Sequence, residues 1–367
     1  MIIYPHTLSI ITTHKCTAAC DHCCFHCTPK IEKAIPVANI HRYLEQATEV
    51  ESLRLAVFTG GECFMLGKDL DEVVGTATRN GLRSRFVSNG YWAISPRVAR
   101  QRLERLVHRG LGEANFSTGD AHEKYVRPEY VIHGAAAAAE MGLPVSVMVE
   151  LRPQSTFDLD GFIDHPLLKP HLDAHRISLQ YSPWMRFKGE EELEYPETMV
   201  DTYSGGRSGE GCSTIMKVIA INPDEHLIAC CGLTFEEIPD LHLGSLRERS
   251  IGQILKETKD DFVKIWIHLQ GPEAVLHYAR TLDPSIPEKP NMAHICEVCR
   301  FVYHDARVVK VVTENPPPNR GEIVQQYLMS LMKPLVAGNY DQATQLYMKR
   351  FSAAQARETR MLACESK

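Results

Sequence analysis

The 367-residue chain contains no stretch of eighteen apolar residues, so it offers no membrane-spanning helix. Its N-terminus shows neither a basic n-region nor a long apolar run, and no signal peptide is expected. Long basic runs and periodic basic faces are missing as well. With 40 Lys and Arg against 46 Asp and Glu the net charge is −6, which argues against nucleic acid as the principal partner. No internal repeat is found. What remains is ordinary for a globular protein: 44% hydrophobic and 23% charged residues, in a length that suits one large domain or two to three smaller ones.

The unusual feature is the placement of the twelve cysteines. Cys16, Cys20, Cys23, Cys24 and Cys27 crowd one stretch, Cys230 and Cys231 are adjacent, and Cys296 and Cys299 form a C-x2-C. Such clustering suits metal or cluster ligation in a reducing cytoplasm better than a secreted disulfide framework. Cys16, Cys20 and Cys23 stand as C-x3-C-x2-C directly after Thr-Leu-Ser-Ile-Ile-Thr-Thr (7–13), which reads as a short buried strand. Three thiolates on one loop can hold three irons of a [4Fe-4S] cluster and leave the fourth without a protein ligand. That arrangement suits a cluster that binds and reduces a small molecule. Zinc is the other reading of the same spacing, and with it a zinc-bound scaffold protein.

From 7 to 182, strand-like stretches (7–12, 53–59, 84–89, 113–118, 145–151, 176–181) alternate with helix-like ones (37–49, 68–80, 96–109, 130–142, 157–167). Six strands with helical crossovers imply an α/β fold with a parallel sheet, and the count fits a partial (β/α)6 TIM-type barrel. Active sites of such barrels lie at the C-terminal ends of the strands. Cys16–Cys23, Gly60-Gly61-Glu62, Ser88-Asn89 and Ser117-Thr-Gly-Asp120 all fall there. His122 and Tyr125 follow, where a ring could touch substrate or relay a proton, or merely sit on a surface loop.

The cysteine loop followed by Phe58-Thr-Gly-Gly-Glu62 resembles the radical S-adenosylmethionine (SAM) superfamily, over about residues 7–184. Two positions depart from the family pattern. His22 replaces the usual aromatic before the third cysteine, and Cys63 the proline that often follows Gly-Gly-Glu. The resemblance implies a [4Fe-4S] cluster on Cys16, Cys20 and Cys23 whose open iron binds SAM. It implies contacts to the SAM amino group from Gly60, Gly61 and Glu62, and ribose or carboxylate contacts from among Ser88, Asn89, Ser117 and Asp120. The His22 backbone would lie beside the adenine. A flavodoxin- or ferredoxin-type electron donor follows from the same chemistry.

After a Gly-rich linker at 185–211, Lys217–Asn222 and Leu227–Cys230 read as a β-hairpin, followed by helices over 249–257 and 260–282. Cys212, Cys230, Cys296 and Cys299, with Leu243-Gly-Ser-Leu246, resemble the SPASM/twitch extension, which carries an auxiliary iron–sulfur cluster; a zinc-ribbon-like site is the alternative. The resulting division is a barrel at 1–184, a linker at 185–211, an auxiliary-cluster domain at 212–310 and C-terminal helices at 311–367, with helices at 321–333 and 338–357. Neighbouring side chains of an extended segment point to opposite faces, so one cluster cannot comfortably take both Cys230 and Cys231. The resemblance, whose hairpin places its ligand first, implies that Cys230 serves the auxiliary cluster. Cys231 then faces away, as a candidate hydrogen-atom donor or a packed thiol. Cys24, Cys27, Cys63 and Cys364 are expected to behave as small hydrophobes. SPASM/twitch proteins mostly modify peptides, so the resemblance implies epimerisation or cross-linking of a peptide. A small-molecule substrate is the alternative.

Overall fold

A computed structural model describes residues 3–186, 193–196, 211–258, 261–287 and 292–336. The expected helix at 338–357, and most of the linker, lie outside the described residues. The strands β1 (Thr7–Ile11), β2 (Leu55–Thr59), β3 (Arg83–Ser88), β4 (Glu113–Thr118), β5 (Val145–Leu151) and β6 (Ile177–Pro183) pair in parallel in sequence order. The helices between them are α1 (Val37–Ala47), α2 (Asp69–Arg79), α3 (Pro96–His108), α4 (Asp120–Glu123), α5 (Pro128–Glu140), α6 (Leu159–Ile163) and α7 (Lys169–Asp173). This is the expected partial barrel, and its sheet is open. The helix expected at 157–167 is two short ones, because Pro166 and Pro170 permit only helical starts at that point.

Local chemistry accounts for the elements. Ser95 accepts from the Val98 amide at 3.3 Å and Pro96 sets the first turn of α3. The alanine run of α5 presents a flat buried face to β4, and Gly134 lets the helix approach closely. A Cβ there would fall 2.7 Å from the Phe116 ring. The register places Ile10, Phe58, Phe86 and Phe116 on this helix-covered face, all buried. The opposite face carries Ser9, Val57, Arg85, Asn115, Ser146, Met148 and Gln180. On β3 and β4 it is half-buried at every second residue. Parallel strands are usually apolar on both faces. Here one face lines a polar, incompletely filled barrel interior.

The hairpin does not form a separate sheet. β7 (Val218–Ile221) pairs in parallel with β1, and β8 (His226–Ile228) and β9 (His242–Ser245) follow antiparallel, giving one sheet in the order β6-β5-β4-β3-β2-β1-β7-β8-β9. The C-terminal helices are α8 (Ile251–Glu257), α9 (Phe262–Leu282), α10 (Ile295–His304), α11 (Ala306–Glu314) and α12 (Arg320–Val336). A reciprocal capping box between Ser250 and Gln253 starts α8. Gly271, at φ 82°, and Pro272 kink α9. Among the described residues no helix is long and apolar enough to cross a membrane.

Candidate active site

The cysteine loop is fastened to the end of β2. Gly61 donates its amide to the Thr13 carbonyl at 2.7 Å and Glu62 donates to the Lys15 carbonyl at 3.0 Å. A Cβ on Gly60 would lie 2.5 Å from the Thr13 carbonyl oxygen, and one on Gly61 2.2 Å from that of Lys15. The two glycines therefore let the β2 turn press against the loop that carries the cysteines. The neck is closed by pairing of Thr13 with Ala34 and Lys15 with Thr28.

Within the loop several donors aim at sulfur. The Ala18 amide lies 3.4 Å from Cys16 Sγ, the Cys27 amide 3.3 Å from Cys23 Sγ, and Asn89 Nδ2 3.6 Å from Cys16 Sγ. Asn89 also donates to Thr17 at 3.1 Å, tying the end of β3 to the loop. All eleven described cysteines are free. Burial, reinforced by charges nearby, pushes the Cys16 thiol up to about 11 and Cys20 to about 12. Cys23 moves the other way, chiefly through a hydrogen bond with Cys27. Cys16 and Cys20, raised in this way, ionise only against a cation. With Cys23 they place three sulfurs on one loop, two of them with amide donors, a donor set that fits an iron–sulfur cluster.

Glu62 is completely buried. Its oxygens accept from the Phe64 amide, the Ser88 hydroxyl and the Asn89 amide, each at 3.0 Å. Burial nevertheless raises its pKa to about 7. Because the fold favours the protonated acid, the stability from this group is complete below pH about 4.5 and is lost as pH rises through about 7. Glu62→Gln cannot ionise. Without SAM its stability relative to wild type should therefore improve by on the order of 2–3 kcal/mol between pH 5 and 8. Denaturant unfolding at both pH values checks this, and a pH-independent difference would count against it.

The other predicted residues divide. Ser88 is spent on Glu62 and accepts from Trp92 Nε1 at 3.0 Å. Asp120 accepts from the amides of Thr156 and Phe157 at 2.7 and 3.0 Å and from the Ser155 hydroxyl, so it fastens the loop after β5. Ser117 Oγ lies 3.2 Å from His122 Nε2. Tyr125 is exposed. The His22 carbonyl accepts from Trp184 Nε1 at 3.1 Å, and its ring turns toward Glu150. Glu150 is missing from the sequence reading. A carboxylate near the end of the largely apolar strand Val145–Leu151 was the available signal.

The second cysteine set converges. A Cβ on Gly232 would meet Cys296 Sγ at 3.0 Å and Cys230 Sγ at 3.3 Å; the Gly232 amide donates to Cys230 Sγ at 3.2 Å and the Leu233 amide to Cys296 Sγ at 3.4 Å. Cys296 and Cys299 share a face of α10, one turn apart. Burial raises Cys230 strongly, and the nearby charges of Cys212, Cys296 and Cys299 add to it. Cys231 points away from this group, its Sγ 3.2 Å from Ser9 Oγ on the interior face of β1. The two sets are also packed together. Phe25 meets Phe235 edge to face at 5.5 Å, and His26 reaches Glu237 at 3.6 Å. Cys24 lies between them, its ionisation opposed first by burial and then by Cys23, Cys231 and Cys296.

No family model matches the chain. Sequence relatives do. The putative peptide biosynthesis protein YydG of Bacillus subtilis is 25% identical over 125 residues, 34% of this chain and 39% of that one. The PqqA peptide cyclase of Xanthomonas campestris is 30% identical over 193 residues, half of each chain. Both relatives are named for work on peptides. The matches span half or less of these curated relatives. Among solved structures, the chain aligns with SuiB of Streptococcus suis bound to its precursor peptide SuiA. There the identity is 16%, the TM-score 0.47 and the coverage 71% of this chain and 65% of that one.

Proposed function

We propose that the protein cleaves SAM reductively to a 5′-deoxyadenosyl radical and abstracts hydrogen from a C–H bond of a peptide. The observation that carries this reading is the loop of Cys16, Cys20 and Cys23, with amide donors on the Cys16 and Cys23 sulfurs, locked against the Gly60-Gly61-Glu62 turn. When bound there, a [4Fe-4S] cluster with one open iron supplies the electron for C–S cleavage. The chain's own residues do the positioning. Cys16, Cys20 and Cys23 would hold the cluster, Asn89 would steady Cys16, and the Gly60-Gly61-Glu62 turn would receive the SAM amino group. A peptide is favoured over a small molecule because YydG and the PqqA cyclases are both named for peptide chemistry. The half-buried polar face of β3 and β4 offers hydrogen-bonding groups to a peptide backbone.

Cys212, Cys230, Cys296 and Cys299 are assigned to an auxiliary cluster, and a flavodoxin- or ferredoxin-type protein to electron delivery. Cys231 is assigned as hydrogen-atom donor, since its thiol meets the barrel interior at Ser9. Donation from there to a substrate carbon radical would epimerise the residue. The thiyl radical left on sulfur would then need one electron and one proton from the external reductant.

Two measurements test the reading. Anaerobically reconstituted protein with SAM and dithionite should release 5′-deoxyadenosine. Fully iron-loaded protein that releases none would overturn the assignment. With the cognate peptide in deuterated water, wild type should add one solvent deuterium to the product and Cys231→Ala should not. Identical labelling by both would remove Cys231 and favour a cross-linking outcome.

A further inference from the structure

His22 from the cysteine loop, His122 from α4 and Glu150 from the end of β5 meet at the mouth of the barrel. We propose that these three side chains form a mononuclear site for a divalent cation of the zinc class, separate from both cysteine sets. One ligand atom from each lies within 4.8 Å of the others. Two imidazoles and a carboxylate are a borderline-to-hard donor set, which suits zinc and its neighbours and is distinct from the all-thiolate sets that hold iron–sulfur clusters.

The distances accommodate a metal ion between these groups. His22 Nε2 and His122 Nδ1 each lie 3.3 Å from Glu150 Oε1, and His122 Nδ1 lies 3.1 Å from Oε2. Charge-assisted N–H···O bonds are shorter, about 2.7–2.9 Å. Ligand atoms around a tetrahedral ion with bonds of about 2.0–2.1 Å stand roughly 3.3 Å apart. The outer contacts agree. His122 Nε2 lies 3.2 Å from Ser117 Oγ, so Nε2–H can be donated there while Nδ1 turns its lone pair toward Glu150. Glu150 Oε1 accepts from the Ala121 amide at 3.0 Å. At Gly119 a Cβ would fall 2.2 Å from Glu150 Oε2, so only glycine leaves room for this carboxylate.

Burial gives the site a closed and an open side. The side chains of His22 and Glu150 are 2% exposed, that of His122 18%. The ion would be sealed on the sheet side and would keep a coordination position toward the mouth, for water or for a carbonyl or carboxylate oxygen of a substrate.

The test uses reconstituted holoenzyme incubated with zinc sulfate, freed of loose metal by a weak chelator, then analysed for zinc and iron and by zinc-edge X-ray absorption. The expected result is about one zinc per chain with a nitrogen/oxygen shell at about 2.0–2.1 Å and no sulfur shell at about 2.3 Å. His122→Ala and Glu150→Gln should each lose at least tenfold in zinc occupancy while keeping wild-type iron. A sulfur shell, failure to retain zinc, or full retention by both iron-loaded variants would overturn the proposal. Failure to retain zinc would leave the three groups as a charge-paired hydrogen-bond network. Should either variant fail to load iron, the wild-type absorption spectrum decides alone.

Discussion

Replacing Cys16, Cys20 and Cys23 together with alanine is expected to abolish 5′-deoxyadenosine release while about half of the iron remains. The reasoning is local. These sulfurs sit on one loop whose backbone is held by Thr28, Thr13–Ala34 pairing and the Gly60-Gly61 turn rather than by the sulfurs themselves. Removing three thiols from a loop anchored in this way should leave the fold intact. Two cubanes would carry about eight irons in wild type, and the variant should keep the four held by the second set. Anaerobic iron analysis and chromatographic detection of the nucleoside read both numbers. Wild-type nucleoside release by a variant that still binds iron would remove these cysteines from the chemistry.

Replacing Cys212, Cys230, Cys296 and Cys299 with serine should have the converse effect. Iron should again fall by about half, but SAM cleavage under dithionite should continue, because the first loop is untouched and a small reductant bypasses any relay. Peptide modification should drop steeply. Cys230 and Cys296 converge on Gly232, where burial and mutual repulsion oppose the thiolates, while Lys264 favours ionisation of Cys299. Gly232→Ala, which places a methyl carbon about 3 Å from both sulfurs, should lose the same iron without removing a thiol. Full iron in the four-serine variant would show that the second set holds no cluster.

Much of this architecture was legible in the sequence because it rests on short-range signals. All six barrel strands lie where alternation and turn residues put them, and the informative residues cluster at their C-terminal ends as parallel-barrel geometry requires. What escaped the sequence was long-range. That β7 would pair with β1 across some two hundred residues has no local signature. β9 was hidden because His-Leu-Gly-Ser is too short and too poor in β-branched residues to read as a strand. Helix α10 contains the C-x2-C and was read for its sulfurs rather than for the apolar spacing that buries Val298 and Val302. Glu150 was overlooked because one acidic residue at the end of a buried strand acquires meaning only beside His22 and His122. Asp120 and Ser88 show the reverse. Both stand at the expected strand ends, and both carboxylate and hydroxyl are engaged with the protein's own loops.

The parallel pairing of β1 with β7 also orders events during synthesis. β1 carries the first cysteine loop at its end, yet one of its edges finds its partner only when residues 218–221 emerge. Until then the ribosome-bound chain presents an open strand edge beside exposed thiols, the state in which a nascent protein is most prone to wrong pairing and oxidation. Stable iron delivery should therefore follow translation of the hairpin. Truncated chains ending before residue 218 should aggregate or depend on chaperones, even though they contain every strand of the barrel.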